Sequence, residues 1–196
     1  MSDAAAESTT QSTATLNTLL TFDVEEQIYG LPVTEVVRII EMVTITHLPD
    51  VPDTIQGIIN LQGKAVPVMD LRQRFGLPHQ AYGLHTPIIL VNMEGNRMLG
   101  LIVDAVEDVL EVVAKNMEMA DAIVPAELSA KAAPLAGVAK VNRQMVLILN
   151  AHGLLSQAEH RELSQALGLS GNVNGSSGDG REDQPKKSTN NRRKKR

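Results

Sequence analysis

The sequence predicts a mostly-β fold of two similar small barrels, on three observations: four hairpin signals along the chain, few helical patterns, and a half-length unit used twice. The repeat centres on Gly57 to Phe75, GIINLQGKAVPVMDLRQRF. Eighty residues later the chain reads GVAKVNRQMVLILNAHGLL, with Gly137 answering Gly57, Asn150 answering Asp70 and Leu155 answering Phe75. Earlier in each half the offset is seventy, matching Tyr29-Gly30-Leu31 through Glu41 with Leu99-Gly100-Leu101 through Glu111. One module of about 60 residues buries too little surface to be robust alone, whereas two can share a core.

In chain order, residues 1–15 are Ser, Thr, Ala and Gln without periodicity and are expected to be a disordered tail. Leu20, Phe22 and Val24 alternate with polar residues, and Glu25-Glu26 separate this strand from Ile28 to Val33, giving the first hairpin. Thr34 to Val37 reads as one helical turn before an extended run at Ile39-Ile40; Pro49 and Pro52 then break the chain. The second hairpin joins Gly57–Gln62 to Ala65–Met69 through Gly63-Lys64, a glycine-first link suited to a type II′ turn. Pro67 cannot donate to a ladder and belongs at an edge or bulge. Asp70 is placed to cap a short helical turn in which Leu71 and Phe75 stack, ended by Gly76 and Pro78.

Thr86 to Met93 pairs with Arg97 to Val103 around Gly95-Asn96; both runs are apolar at nearly every position, so both faces should be covered. Asp104 and Glu107 resemble a capping box ahead of a strand at Val109 to Val113, and Ala114 to Ala133 is ambiguous. The fourth hairpin joins Gly137–Val141 to Gln144–Leu149 through Asn142-Arg143. A terminal helix follows, with Ser156 and Glu159 as capping box, Leu163 and Leu167 on one face and Gly168 as C-cap. The folded domain is thus expected over 16–168. The segment 169–196, rich in Gly, Ser, Asn and charge, is expected to be a disordered basic tail.

Composition narrows function. There is no Cys and no Trp, with only two Phe and two Tyr, so thiolate chemistry is excluded and base stacking is poorly served. The N-terminus has neither the basic residues nor the apolar run of a secretory signal, and no apolar run approaches the roughly 20 residues of a spanning helix; a cytoplasmic location is the default. The formal charge of −5 divides into +5 from Gly171 onward and −10 before it, so a nucleic-acid-binding reading rests on Lys186, Lys187 and Arg192 to Arg196 alone. The five histidines lack metal-ligand spacing, no phosphate-loop motif occurs, and Asp104, Glu107, Asp108 and Glu111 read as a solvated acidic face. No enzyme, cofactor or metal site is expected.

Gly57-Ile-Ile-Asn60-Leu61-Gln62-Gly63, followed by Val66-Pro67-Val68-Met69-Asp70-Leu71-Arg72, resembles the G-x-x-N-L-R-G…P-x-x-D-L-R signature of CheW-like domains, the chemotaxis coupling proteins. Tyr29-Gly30 upstream and Gly100, Asp104, Val106, Asp108 and Val109 downstream fit the same family, over roughly Leu19 to Leu155. One departure stands out: the motif's arginine is Gln62. The resemblance implies two five-stranded SH3-like barrels with the terminal helix on their flank. It also implies a non-catalytic adaptor between the cytoplasmic hairpin tips of chemoreceptors and the regulatory domain of the histidine kinase CheA. On the same ground the binding residues are Val36, Arg38, Gly57, Asn60, Gln62 and Gly63. Plain structural alternatives stand beside three of them: Val36 in the core, Gly57 opening a strand, Arg38 solvated. The alternative function is a nucleic-acid-binding barrel acting through the basic tail, which could also make weak polyanion or membrane-surface contact.

Overall fold

Each expected hairpin forms, and what they build is decided by how the strands join beyond them. The computed structural model describes residues 16–93, 95, 97–125 and 134–168. The elements are β1 (Leu16–Val24), β2 (Gln27–Pro32), β3 (Val36–Glu41), β4 (Ile55–Leu61), β5 (Lys64–Asp70), α1 (Leu71–Arg74), β6 (Pro87–Met93) and β7 (Arg97–Ile102). There follow β8 (Ala105–Val113), β9 (Met117–Met119), α2 (Ala120–Ile123), β10 (Leu135–Val141), β11 (Gln144–Leu149) and α3 (Gln157–Ala166). The expected tails, 1–15 and 169–196, lie outside the described residues.

Two sheets result, ordered β8-β1-β2-β11-β10-β9 and β3-β6-β7-β5-β4, and they form two similar SH3-like barrels. Neither barrel is one half of the chain. The β1–β2 hairpin joins the late strands by a parallel pairing of β2 with β11, Ile148 opposite Gly30; β6–β7 joins the early strands by a parallel pairing of β7 with β5, Val68 opposite Gly100. These joins are the same join in two copies, because Gly100 answers Gly30 and Ile148 answers Val68 at the two repeat offsets. A parallel pair cannot be closed by a tight turn and needs a crossover: between β2 and β11 the chain builds the whole of the other sheet, and between β5 and β7 it runs through α1 and β6. Even the short strand β9 has its counterpart, a single bridge between Thr46 and Ile58.

Side-chain alternation sorts the apolar residues into three layers. Ile88 and Leu90 of β6 point into one barrel with Ile59, Val66 and Val68, while Ile89, Val91 and Met93 of the same strand point between the barrels with Phe22, Leu31 and Leu101. Leu19, Val112, Val146 and Ile148 fill the other barrel. This explains why β6 and β7 are apolar throughout: one face lines a barrel and the other the central layer. Phe22, Tyr29 and Phe75 stack in sequence at the centre, with ring centroids 5.9 and 5.0 Å apart. Helix α3 begins with the expected capping box of Ser156 and Glu159, buries Leu163 in the central layer and ends at Gly168 with positive φ.

Three local expectations are corrected. The β4–β5 pairing closes at Leu61 and Lys64, so the turn residues are Gln62 and Gly63 rather than Gly63-Lys64; both have positive φ, 52° and 85°, which is a type I′ turn. A glycine meets the need for positive φ at either turn position, and the register with Leu61 opposite Lys64 selects this one. Asp104 and Glu107 cap no helix, since strand β8 starts at Ala105 and Asp104 is bonded elsewhere. The helical turn read at Thr34 to Val37 falls slightly earlier, with Glu35 N–H bonding Pro32 and Val36 N–H bonding Val33, and strand β3 already runs from Val36.

Candidate partner-binding surface

The polar residues of the sequence motif mostly fasten the fold. Asp70 is only 1% exposed; its Oδ1 accepts the Arg72 N–H at 2.8 Å as the N-cap of α1, and its Oδ2 accepts the Tyr82 hydroxyl at 2.7 Å. His79 Nδ1 lies 3.6 Å from the same oxygen, with its ring edge-on to Tyr82. The repeat reproduces the cap: Asn150 Oδ1 accepts the His152 N–H at 3.0 Å. The Arg72 guanidinium pairs with Asp104 Oδ2, sits 3.9 Å from Glu25 and donates through Nε to the Pro78 carbonyl, while Asp104 also accepts the Glu25 N–H. One side chain thus ties α1 to the β1–β2 turn and to the β7–β8 corner.

Burial, then the hydrogen bond to Asp70 and its negative charge, push the Tyr82 hydroxyl above its ordinary value of 10.0. An unfolded tyrosine ionises near about 10. The stability from this bond is therefore complete below that pH and is lost as pH rises through the folded value. Tyr29, raised by burial and Glu25, acts in the same window. Denaturant melts between pH 8 and pH 11 should show stability falling above pH 10, with a shallower fall in Tyr82→Phe; an unchanged slope would remove Tyr82 from the account.

The expected binding residues fall into two groups on opposite edges of the five-stranded sheet. On β3, Val36 is half-buried against the central layer and Arg38 is exposed, opposite Leu90 after a register shift. On β4 and its turn, Asn60, Gln62 and Gly63 are exposed, and Asn60 Oδ1 accepts the Gly63 N–H at 2.8 Å, which locks the turn. Gly57 is buried: a Cβ there would lie 2.2 Å from the Thr46 carbonyl oxygen, just as one at Gly137 would lie 2.4 Å from that of Glu118. Its place in the motif is explained by the backbone that crosses it. No ladder joins β3 to β4.

Two residues without any mark in the sequence motif share the β3 surface. Val37 and Ile39 are 42% and 43% exposed, and β3 pairs on one side only, with β6. Across the repeat, β8 is likewise an edge strand, paired only with β1, and Val109, which answers Ile39, is also exposed. The signal is present as five residues, Val36 to Ile40, that are apolar apart from Arg38 and yet lie beside no second strand. Glu107, Asp108 and Glu111 of β8 are exposed, as a solvated acidic face should be. Among the described residues no cluster of three His, Asp or Glu is placed to hold a metal ion, and no helix is long and apolar enough to cross a membrane.

A doubled barrel whose polar clusters fasten the fold and whose edge strands stand open has the form of a scaffold. The CheW-like domain family matches residues 18–159, and the chain belongs to that family of chemotaxis adaptors. It is 30% identical over 140 residues to the chemotaxis protein CheW of Klebsiella aerogenes, covering 71% of this chain and 82% of that one. It is also 30% identical over 139 residues to CheW of Bacillus subtilis, covering 71% and 86%. The solved structure of the scaffolding protein TtCheW from Thermoanaerobacter tengcongensis is similar with a TM-score of 0.65 and 32% identity, over 74% of this chain and 96% of that one. None of these matches supports the nucleic-acid-binding alternative.

Proposed function

We propose that this chain couples chemoreceptors to the kinase CheA in the cytoplasm, binding the receptor's cytoplasmic hairpin tip and the kinase's CheW-like regulatory domain, with residues 16–168 as the working domain. The observation that carries this reading is the open edge strand β3, which exposes Val37 and Ile39 beside Arg38 in a chain of the CheW-like family. An edge strand with apolar side chains in water is a surface on which a partner strand or an amphipathic helix can gain both backbone bonds and buried area. Val36 and Arg38 belong to this surface. Asn60, Gln62 and Gly63 form a second contact at the β4–β5 turn, while Gly57 acts through packing. The basic tail adds at most weak contact with polyanions or anionic membranes.

Ile39→Asp is the direct test. It alters an exposed position and should leave the melting temperature nearly unchanged, yet weaken capture of CheA or receptor fragments by tenfold or more, the scale of an interface hot spot of about 2 kcal/mol. Binding of both partners at wild-type strength would sink the β3 assignment. In reconstitution, CheA autophosphorylation should respond to the protein only through complex formation, and the protein alone should release no phosphate from ATP.

Gln62→Arg tests the turn. Position 62 already holds a side chain at positive φ, so the exchange is neutral for the backbone, while a charge-assisted bond of about 1.5–3 kcal/mol replaces a neutral one of about half that strength. Binding should tighten to a receptor tip with a facing carboxylate and not to one in which that acid is made neutral. Equal tightening for both would refute the charge argument.

A further inference from the structure

Helix α3 does not close fully onto the barrel it flanks. Between it and the β5–β7 corner lies a cleft of about 310 Å³, walled by Val66 and Pro67 of β5, Met98 and Leu99 of β7, Leu163 of α3 and Leu167 at its C-cap. Arg97, Lys64 and His160 stand around it. The Arg97 guanidinium is held against the helix by a 3.1 Å bond to Ser164 Oγ, and Lys64 is exposed with no ion-pair partner among the described residues. Lys64 and Arg97 place two basic side chains at the rim of an apolar cleft, on a body of residues 1–170 that carries a net charge of −10.

We propose that this cleft binds a single-chain fatty acid, with its carboxylate at Lys64 and Arg97 and its alkyl tail between α3 and the barrel. The cleft falls at the lower end of the roughly 300–1,000 Å³ of small-molecule sites, and its composition, apolar walls with a few placed polar groups, is theirs as well. Arg97 supplies a forked donor suited to a carboxylate, and its bond to Ser164 holds it in place before the ligand arrives. This inference goes beyond the coupling reading and does not depend on it.

The test is titration calorimetry of the full chain with octanoate, decanoate and dodecanoate, each below its micellar range. Affinity should rise by about fourfold for each added methylene until the cleft is full. Decanol, which lacks the charge, should bind at least tenfold more weakly than decanoate, and Lys64→Glu should weaken decanoate by at least tenfold. Ala65→Phe, at an exposed position lining the cleft, should abolish binding while the melting temperature holds. No decanoate binding, or binding indifferent to Lys64→Glu and Ala65→Phe, overturns the proposal. So does loss of CheA or receptor capture in Ala65→Phe with decanoate binding intact, since the cleft would then be a protein-docking surface.

Discussion

Gly57→Ala should be among the most damaging single-methyl changes in this chain, costing about 2–6 kcal/mol: about 1–3 for a side chain held at φ 142° and about 1–3 for forcing a Cβ against the Thr46 carbonyl oxygen 2.2 Å away. At about 2–4 °C per kcal/mol for a domain of this size, the melting temperature should fall by roughly 10 °C. Two other glycines separate the contributions. At Gly137 an added methyl would meet a carbonyl oxygen at 2.4 Å, but the backbone has no left-handed φ, so Gly137→Ala isolates the collision. Gly63 has positive φ with nothing within 4 Å, so Gly63→Ala isolates the backbone contribution, about 1–2 kcal/mol. Thermal melts of the three variants should rank Gly57 worst. A Gly57 cost no larger than that of Gly63 would mean that the Thr46 segment simply moves away.

Asp70→Ala should cost about 3–5 kcal/mol, combining loss of a helix cap, about 1 kcal/mol, with loss of a charge-assisted bond from Tyr82, about 1.5–3, and an unsatisfied hydroxyl left behind. Asp70→Asn should be milder, because an amide oxygen still caps the turn, as Asn150 does in the second copy. A double-mutant cycle between Asp70→Asn and Tyr82→Phe, read by denaturant unfolding, should give coupling near the strength of the lost charge-assisted bond. If Asp70→Asn proves neutral, Asp70 is a cap and nothing more. Either result bears on stability alone, since the carboxylate is buried away from the proposed binding surface.

Local features are readable in the residues because they depend on near neighbours. The four hairpins, the cap at Asp70, the capping box at Ser156 and the apolar character of both faces of β6 and β7 all follow from spacing and side-chain type. The β4–β5 turn lies one residue from its expected place because a glycine satisfies positive φ at either turn position, and only the strand register, Leu61 opposite Lys64, chooses between them. The Asp104–Glu107 spacing suits a helix cap equally well on paper, but Asp104 is drawn to Arg72, 32 residues away, and the chain beyond it to β1.

The proposed binding surface divides along the same line. Asn60, Gln62 and Gly63 are nearly contiguous, so a motif marks them, and Gly57 carries the same mark for a reason of packing that becomes visible only when the Thr46 backbone crosses it. The exposure of Val37 and Ile39 has no local cause: it depends on β3 ending a sheet whose other strands come from both halves of the chain. By itself the sequence determined the doubled unit, its hairpins and caps, and the absence of thiol chemistry. Only the tertiary structure decided that each opening hairpin completes the other copy's barrel, because the parallel joins of β2 to β11 and β7 to β5 link residues 118 and 32 positions apart, Ile148 with Gly30 and Gly100 with Val68, beyond the reach of any local pattern.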